Sequence, residues 1–212
     1  MDMEKLKTGT TTVGVKTKNL VVLATDMQTS LGNLNYEQET QKIYKITENI
    51  SCTTAGSVAD AQVLIRFMQA HAKLFEIERK TKITAKSLST YVANVLNSYR
   101  YYPYEVQFIF GGFVDRPEIF EIGPTGSILE RTKFAVSGSG TVLAMSTLDS
   151  SYEDNMTEEK TIELAIRAVN SAKKRDIYTC GRSINVWAID EKGTRTIDDG
   201  KVLSILARIN KQ

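Results

Sequence analysis

The run Thr8-Gly9-Thr10-Thr11-Thr12-Val13-Gly14 places a Gly-Thr junction close to the start of a chain of 212 residues. A cut after Gly9 would free a threonine bearing both a hydroxyl and an α-amine, so that one residue serves as nucleophile and as base. The same run also reads as an ordinary Thr-rich strand, because threonine suits a pleated surface. Other nucleophilic chemistries have little support. His71 is the single histidine; it falls in a helical segment, where it reads as a packed or solvated helix residue, and a Ser-His-Asp arrangement has no second candidate. Cys52 and Cys180 are far apart and form no CxxC or Cys/His ligand set. Neither a metal nor a cofactor is expected, and this cysteine usage suits a reducing, cytoplasmic setting.

The elements that would position such a threonine can be read from composition and period. Hydrophobic residues make up 42% and charged residues 25% of the chain, as in ordinary globular proteins. A net charge of +2 gives no electrostatic case for nucleic acid. No apolar run approaches the roughly 18 residues of a membrane helix, so no membrane partner is expected. Residues 1–9 are polar and lack the apolar core of a secretory signal; they read as a tail or a propeptide. Without linker or repeat, residues 10–212 are expected to form one domain.

Thr11 to Val15 and Leu20 to Ala24 read as a hairpin, with Val21-Val22-Leu23-Ala24 buried on both faces. Ile43 to Ile46 and Ile50 to Ala55 form a second hairpin. The period then changes: Ala61, Leu64, Ile65, Met68, Ala72 and Phe75 mark a long helix from Val58, with Ser57 as its cap, and a second helix runs from Ala85 to about Tyr99. Strands return at Glu105 to Phe113, Glu118 to Ile122 and Phe134 to Ser137. Thr141 to Asp149 reads as a short helix, and Thr157 opens a clear one that ends at Lys173-Lys174-Arg175. Ile184 to Ile189 and Thr194 to Ile197 make a last hairpin. This order predicts an α+β fold, a four-layer α-β-β-α sandwich of two packed antiparallel sheets with helices outside. Open strand ends at one edge of such a core leave room for a cleft.

In sequence order, Thr8-Gly9-Thr10-Thr11-Thr12-Val13-Gly14 is followed by Ala24-Thr25-Asp26, Lys42-Ile43-Tyr44-Lys45-Ile46 and Ala55-Gly56-Ser57-Val58-Ala59-Asp60-Ala61-Gln62, then by Gly138-Ser139-Gly140 and Lys174-Arg175-Asp176. In these motifs and their separations the chain resembles the β-subunit family of the proteasome, of the archaeal 20S type, among the N-terminal nucleophile hydrolases. The resemblance runs from Thr8 almost to the C-terminus. It implies that cleavage of the Gly9-Thr10 bond exposes Thr10 as the nucleophile of a threonine endopeptidase. Lys42 would sit beside the Thr10 hydroxyl, where a cation lowers the cost of an alkoxide, and Asp26 would fix Lys42. The Gly56 N–H would serve as oxyanion donor. Ser139, Asp176 and Thr179 would hold the Thr10 amine and a water. Thr29, Thr40, Tyr44, Thr54 and Val58 would line the substrate cleft, a neutral lining that favours apolar over acidic residues before the cut bond. The implied partners are a proteasome α-subunit ring, other β subunits in heptameric rings of a 28-subunit particle, a regulatory ATPase ring and unfolded protein substrates.

Taken without the family, Asp26 reads as a strand-end turn residue, Lys42 as a solvated flanking charge and Gly56 as a strand-to-helix turn. Gly9 suits self-cleavage because it lacks a side chain and tolerates strained dihedrals. The chain also departs from the family pattern. Gln28 stands where a basic residue is usual, and Ile177-Tyr178-Thr179-Cys180 replaces small residues, with Cys180 at a usual glycine. A second functional expectation follows from these departures: an unprocessed or weakly active structural β subunit that supports ring assembly and modulates a catalytic sibling.

Overall fold

A computed structural model describes residues 9–31 and 34–211. In chain order its strands begin with β1 (Thr11–Lys16), β2 (Val21–Asp26), β3 (Thr29–Leu31), β4 (Leu34–Glu37), β5 (Ile43–Lys45) and β6 (Ile50–Gly56). Helices α1 (Val58–Arg79) and α2 (Ala85–Ser98) follow, then β7 (Val106–Phe113), β8 (Pro117–Ile122), β9 (Ile128–Arg131) and β10 (Phe134–Gly138). The chain continues through α3 (Thr141–Ser151), α4 (Glu158–Lys173), β11 (Ile184–Asp190), β12 (Gly193–Thr196) and α5 (Asp199–Ile209).

Two antiparallel sheets of five strands carry the fold, in the orders β10-β1-β2-β11-β12 and β5-β6-β7-β8-β9, and β3-β4 is a separate hairpin. The alternation of strand side chains explains how they stack. In β2, Val22 and Ala24 pack beneath α3, α4 and α5 with Val13, Val136, Leu164, Ala168 and Ile205, while Val21 and Leu23 point the other way. There they meet Ile109 and Ile119 of the facing sheet, so β2 is buried on both faces. On the far side of that sheet, Cys52, Phe108 and Phe120 pack against Leu64 and Met68 of α1 and Leu88 and Val92 of α2. The result is the expected α-β-β-α sandwich.

Capping follows the sequence as well. Ser57 accepts the Asp60 N–H at 3.4 Å to start α1, and Thr157 accepts the Lys160 N–H at 3.4 Å to start α4; each such cap contributes about 1 kcal/mol. Three elements were not expected. The β3-β4 hairpin is short and carries a register shift at Thr29/Ser30. Strand β9 is an exposed edge with no buried face to set an alternation. Helix α5, by contrast, has a readable signal beyond the last hairpin: Asp198 caps it, and Val202, Ile205, Leu206 and Ile209 form its buried stripe. Residues 1–8 of the expected propeptide lie outside the described residues.

Candidate active site

Five strand ends converge on one edge of the sandwich. Thr10 immediately precedes β1, Asp26 ends β2, Lys42 precedes β5, Gly56 ends β6, and Ser139 follows β10. Pairing fixes their separation: Thr11 lies opposite Gly138 in the β1-β10 ladder, and the Ser139 N–H donates to the Thr10 carbonyl at 2.8 Å. On the other sheet, the Thr54 N–H donates to the Lys42 carbonyl at 3.0 Å, which anchors the backbone from which the lysine reaches across.

The Lys42 ammonium donates to Thr10 Oγ1 at 2.6 Å and to Asp26 Oδ1 and Oδ2 at 3.1 and 3.0 Å. Both ions are out of water, with side chains 7% and 0% exposed. Asp26 accepts three backbone N–H groups besides, from Thr11 at 3.0 Å, Gln28 at 3.1 Å and Cys180 at 3.4 Å. Burial pushes Lys42 below the ordinary lysine range, and its attraction to Asp26 opposes that shift. Burial likewise pushes the Asp26 carboxyl up, against the pull of Lys42 and of the Thr11 and Gln28 N–H groups. A lysine so placed stabilises negative charge on Thr10 Oγ1 and, with its lowered proton affinity, stays responsive to the charge beside it. Among the described residues Lys42 is the cation paired with Asp26; Gln28, where a basic residue was expected, donates its side-chain amide to Ser30 Oγ at 2.8 Å instead.

A second network reaches the backbone nitrogen of Thr10, here a peptide N–H because Gly9 precedes it. That N–H donates to Ser139 Oγ at 3.2 Å, and Ser139 Oγ donates to Asp176 Oδ2 at 2.5 Å. Thr179 Oγ1 donates to the same carboxylate oxygen at 2.5 Å and lies 2.6 Å from Thr11 Oγ1. With the Thr179 proton directed at Asp176, Thr11 is the donor in the last pair. Ser139 alone of the three expected residues touches the Thr10 nitrogen; Asp176 stands one bond behind it, and Thr179 acts through Asp176 and Thr11. The loop after α4 keeps this geometry despite its bulk. The Lys173 ammonium donates to the Gly181 carbonyl at 2.9 Å, and the Met27 N–H donates to the Cys180 carbonyl at 3.3 Å.

Gly56 adopts a φ of +120°, and a Cβ there would fall 2.1 Å from the Glu105 carbonyl oxygen, so only glycine fits. It stands one residue before the cap of the 22-residue helix α1, whose N-terminus carries positive partial charge. Gly138 is constrained in the same way: its φ is +96°, and a Cβ would meet the Thr10 carbonyl oxygen at 1.9 Å. Thr11 and Gly138 are the supporting residues that sequence reasoning left without a role, although both lie inside motifs it quoted.

Thr10 sits between two clefts. The first contains Thr10, Lys42 and Gly56 together with all of the expected lining residues, Thr29, Thr40, Tyr44, Thr54 and Val58. Thr29 Oγ1 donates to Thr40 Oγ1 at 2.7 Å, and the Tyr44 hydroxyl donates to the Gln41 carbonyl at 2.8 Å, which holds its walls. The second opens on the Ser139 side, where Pro103, Tyr104 and Gln107 also line it. His71 takes no part: its ring stacks on Tyr91 at 3.7 Å between centroids. No cluster of His, Cys, Asp and Glu fit to hold a metal occurs among the described residues, and none of the described helices is long and apolar enough to cross a membrane.

Fold and site together define an αββα protein in which the residue before the first strand presents a threonine hydroxyl to a buried Lys-Asp pair at the sheet edge. Comparison with known proteins places that description. Residues 6–189 match the model of the family described as proteasome subunit. The chain is 42% identical to Proteasome subunit beta 1 of Pyrococcus furiosus, over 91% of this chain and 97% of that protein. It is 41% identical to Proteasome subunit beta 2 of Thermococcus gammatolerans, over 91% and 96%. It is 38% identical to Proteasome subunit beta of Methanosarcina barkeri over the full length of both. The chain belongs to the proteasome subunit family, and the relatives it matches from end to end are β subunits.

Proposed function

We propose that this chain is a catalytic β subunit of a 20S-type proteasome, a threonine endopeptidase with Thr10 as its N-terminal nucleophile. The observation that carries the reading is the 2.6 Å bond from Lys42 to Thr10 Oγ1, with Asp26 fixing the lysine from behind. Once residues 1–9 are removed, the free Thr10 amine takes the proton from Oγ1 as Oγ1 bonds to a peptide carbonyl carbon. Lys42 stabilises the oxygen during attack, and the Gly56 N–H, beside the positive end of α1, faces the oxyanion that forms. The departing amine receives the proton, which leaves an ester on Thr10. Water, deprotonated by the Thr10 amine, then attacks the ester; the acid departs and Oγ1 regains its proton. Ser139, held by Asp176, orients the amine for both steps.

Residues 1–9 are a propeptide, and residues 10–212 are the hydrolase domain. In the precursor Thr10 lacks a free amine, so a water takes the hydroxyl proton as Oγ1 bonds to the Gly9 carbonyl carbon. The Gly9–Thr10 C–N bond breaks, the nitrogen gains the proton, and hydrolysis of the resulting ester releases residues 1–9. Family membership implies assembly with other proteasome subunits. The finer reading is β heptamers stacked on α rings in a 28-subunit cytoplasmic particle, with the clefts facing a chamber fed with unfolded chains by an ATPase ring. Because Gln28 takes the place of a second cation, a weakly active subunit that supports a catalytic sibling is the alternative.

Peptide hydrolysis by assembled particles separates the two. Wild type is expected to be active, with Lys42→Met and Thr10→Ala each reduced about a thousandfold or more. Equal rates in wild type and Thr10→Ala would leave this subunit a structural one.

A further inference from the structure

The loop that departs most from the family pattern lies against the residue before the nucleophile. A Cβ built on Gly9 would fall 2.1 Å from Tyr178 Cβ, 2.8 Å from Tyr178 Cγ and 2.7 Å from Ser139 Oγ. These three nearest atoms all belong to the Ser139 side of the site. None comes from Thr29, Tyr44, Thr54 or Val58, which line the first cleft. Tyr178 itself lines neither of the two clefts that contain Thr10. A side chain at residue 9 would therefore be directed into Tyr178, not into the pocket that receives a substrate side chain.

Tyr178 cannot readily make room. The closest atom is its Cβ, which is fixed to the backbone and does not move with the rotamer. That backbone is tied on both sides: the Tyr178 N–H donates to Asp176 Oδ1 at 3.2 Å, and the Cys180 N–H donates to Asp26 Oδ2 at 3.4 Å. Asp176 also receives Ser139 and Thr179. Pushing Tyr178 back would disturb both networks that hold Thr10.

We propose that Tyr178 is the specificity-determining residue of self-cleavage in this chain: its Cβ forms a wall that admits only glycine at position 9. The residue before the self-cleaved bond is thus read by a different surface from the one that reads substrates. This inference rests on the self-cleavage reading given above.

Mass spectrometry of the full chain in assembled particles, with a time course of the loss of Met1–Gly9, tests it. Wild type and Tyr178→Gly are expected to be cleaved, and Gly9→Ala to be slowed about a hundredfold. Adding Tyr178→Gly to Gly9→Ala restores cleavage, whereas adding Tyr178→Ala, which keeps the Cβ, does not. The rank order of fluorogenic peptides is the same for Tyr178→Gly and wild type. Wild type that retains Met1–Gly9 defeats the self-cleavage reading and this inference with it. Cleaved wild type with an unimpaired Gly9→Ala, or Gly9→Ala left unrescued by a Tyr178→Gly change that is itself cleaved, defeats the inference alone, as does a changed peptide ranking. Should Tyr178→Gly block cleavage by itself, thermal unfolding of precursors held by Thr10→Ala decides. Gly9→Ala must lower the melting temperature and Tyr178→Gly must cancel that loss; independent effects overturn the wall.

Discussion

All three ammonium hydrogens of Lys42 find acceptors within the site, one on Thr10 and two on Asp26. Removing the carboxylate would leave a buried cation without its counter-ion, a change that costs about 3–5 kcal/mol. Asp26→Asn is therefore expected to lower stability by that amount in urea unfolding and to abolish peptide hydrolysis. The sign for Lys42 follows from its causes: burial lowers its proton affinity and Asp26 raises it, so loss of Asp26 lowers it further. A second prediction concerns the thiols. Cys52 is fully buried and its thiol is pushed far up by desolvation, while Cys180 is exposed. A maleimide should label Cys180 alone in the folded protein and both cysteines after denaturation. Two rapidly labelled thiols in the native state would contradict the packing around Cys52. The residue scale was the least legible in the sequence. Asp26 after a buried run and Lys42 before a strand have no local signature, and only resemblance brought them together with Thr10. The Thr11–Thr179 bond joins positions 168 residues apart, so no pattern along the chain could have revealed it.

At the scale of elements, periodicity carried most of the fold. The apolar spacing of α1 and α4 and their Ser57 and Thr157 caps predict these helices where they occur, because a helix repeats its buried face locally. The unbroken apolar run of β2 likewise gives a strand covered on both sides. Leu23 lies between the sheets and is fully buried. Leu23→Ala should cost about 2–5 kcal/mol, measured by chemical denaturation, and a loss below about 1 kcal/mol would argue against a tightly packed interface between the sheets. Strand β9 escaped prediction for the opposite reason: as an exposed edge it has no buried face, and its ends are fixed by pairing with β8. Helix α5 shows the limit of reading only as far as an apparent last hairpin, since its stripe and Asp198 cap are as regular as those of α4.

For the molecule as a whole, the two sheets bring the ends of β1, β2, β5, β6 and β10 to one edge, and the proposed chemistry draws on all of them. Thr10, beside one sheet, meets a lysine from the other, so this arrangement exists only when the sandwich has closed. On the proposed reading this couples folding to activity, and it leaves Gly9 and Thr10 in the lining of two clefts. The proposed activity requires that the Gly9–Thr10 bond be broken and that Thr10 then react. Intact mass and peptide mapping of assembled particles treated with an electrophilic threonine-protease inhibitor measure both at once. The expected product is a chain that begins at Thr10 and carries the inhibitor on that residue. A chain that retains Met1–Gly9 and remains unlabelled would contradict it.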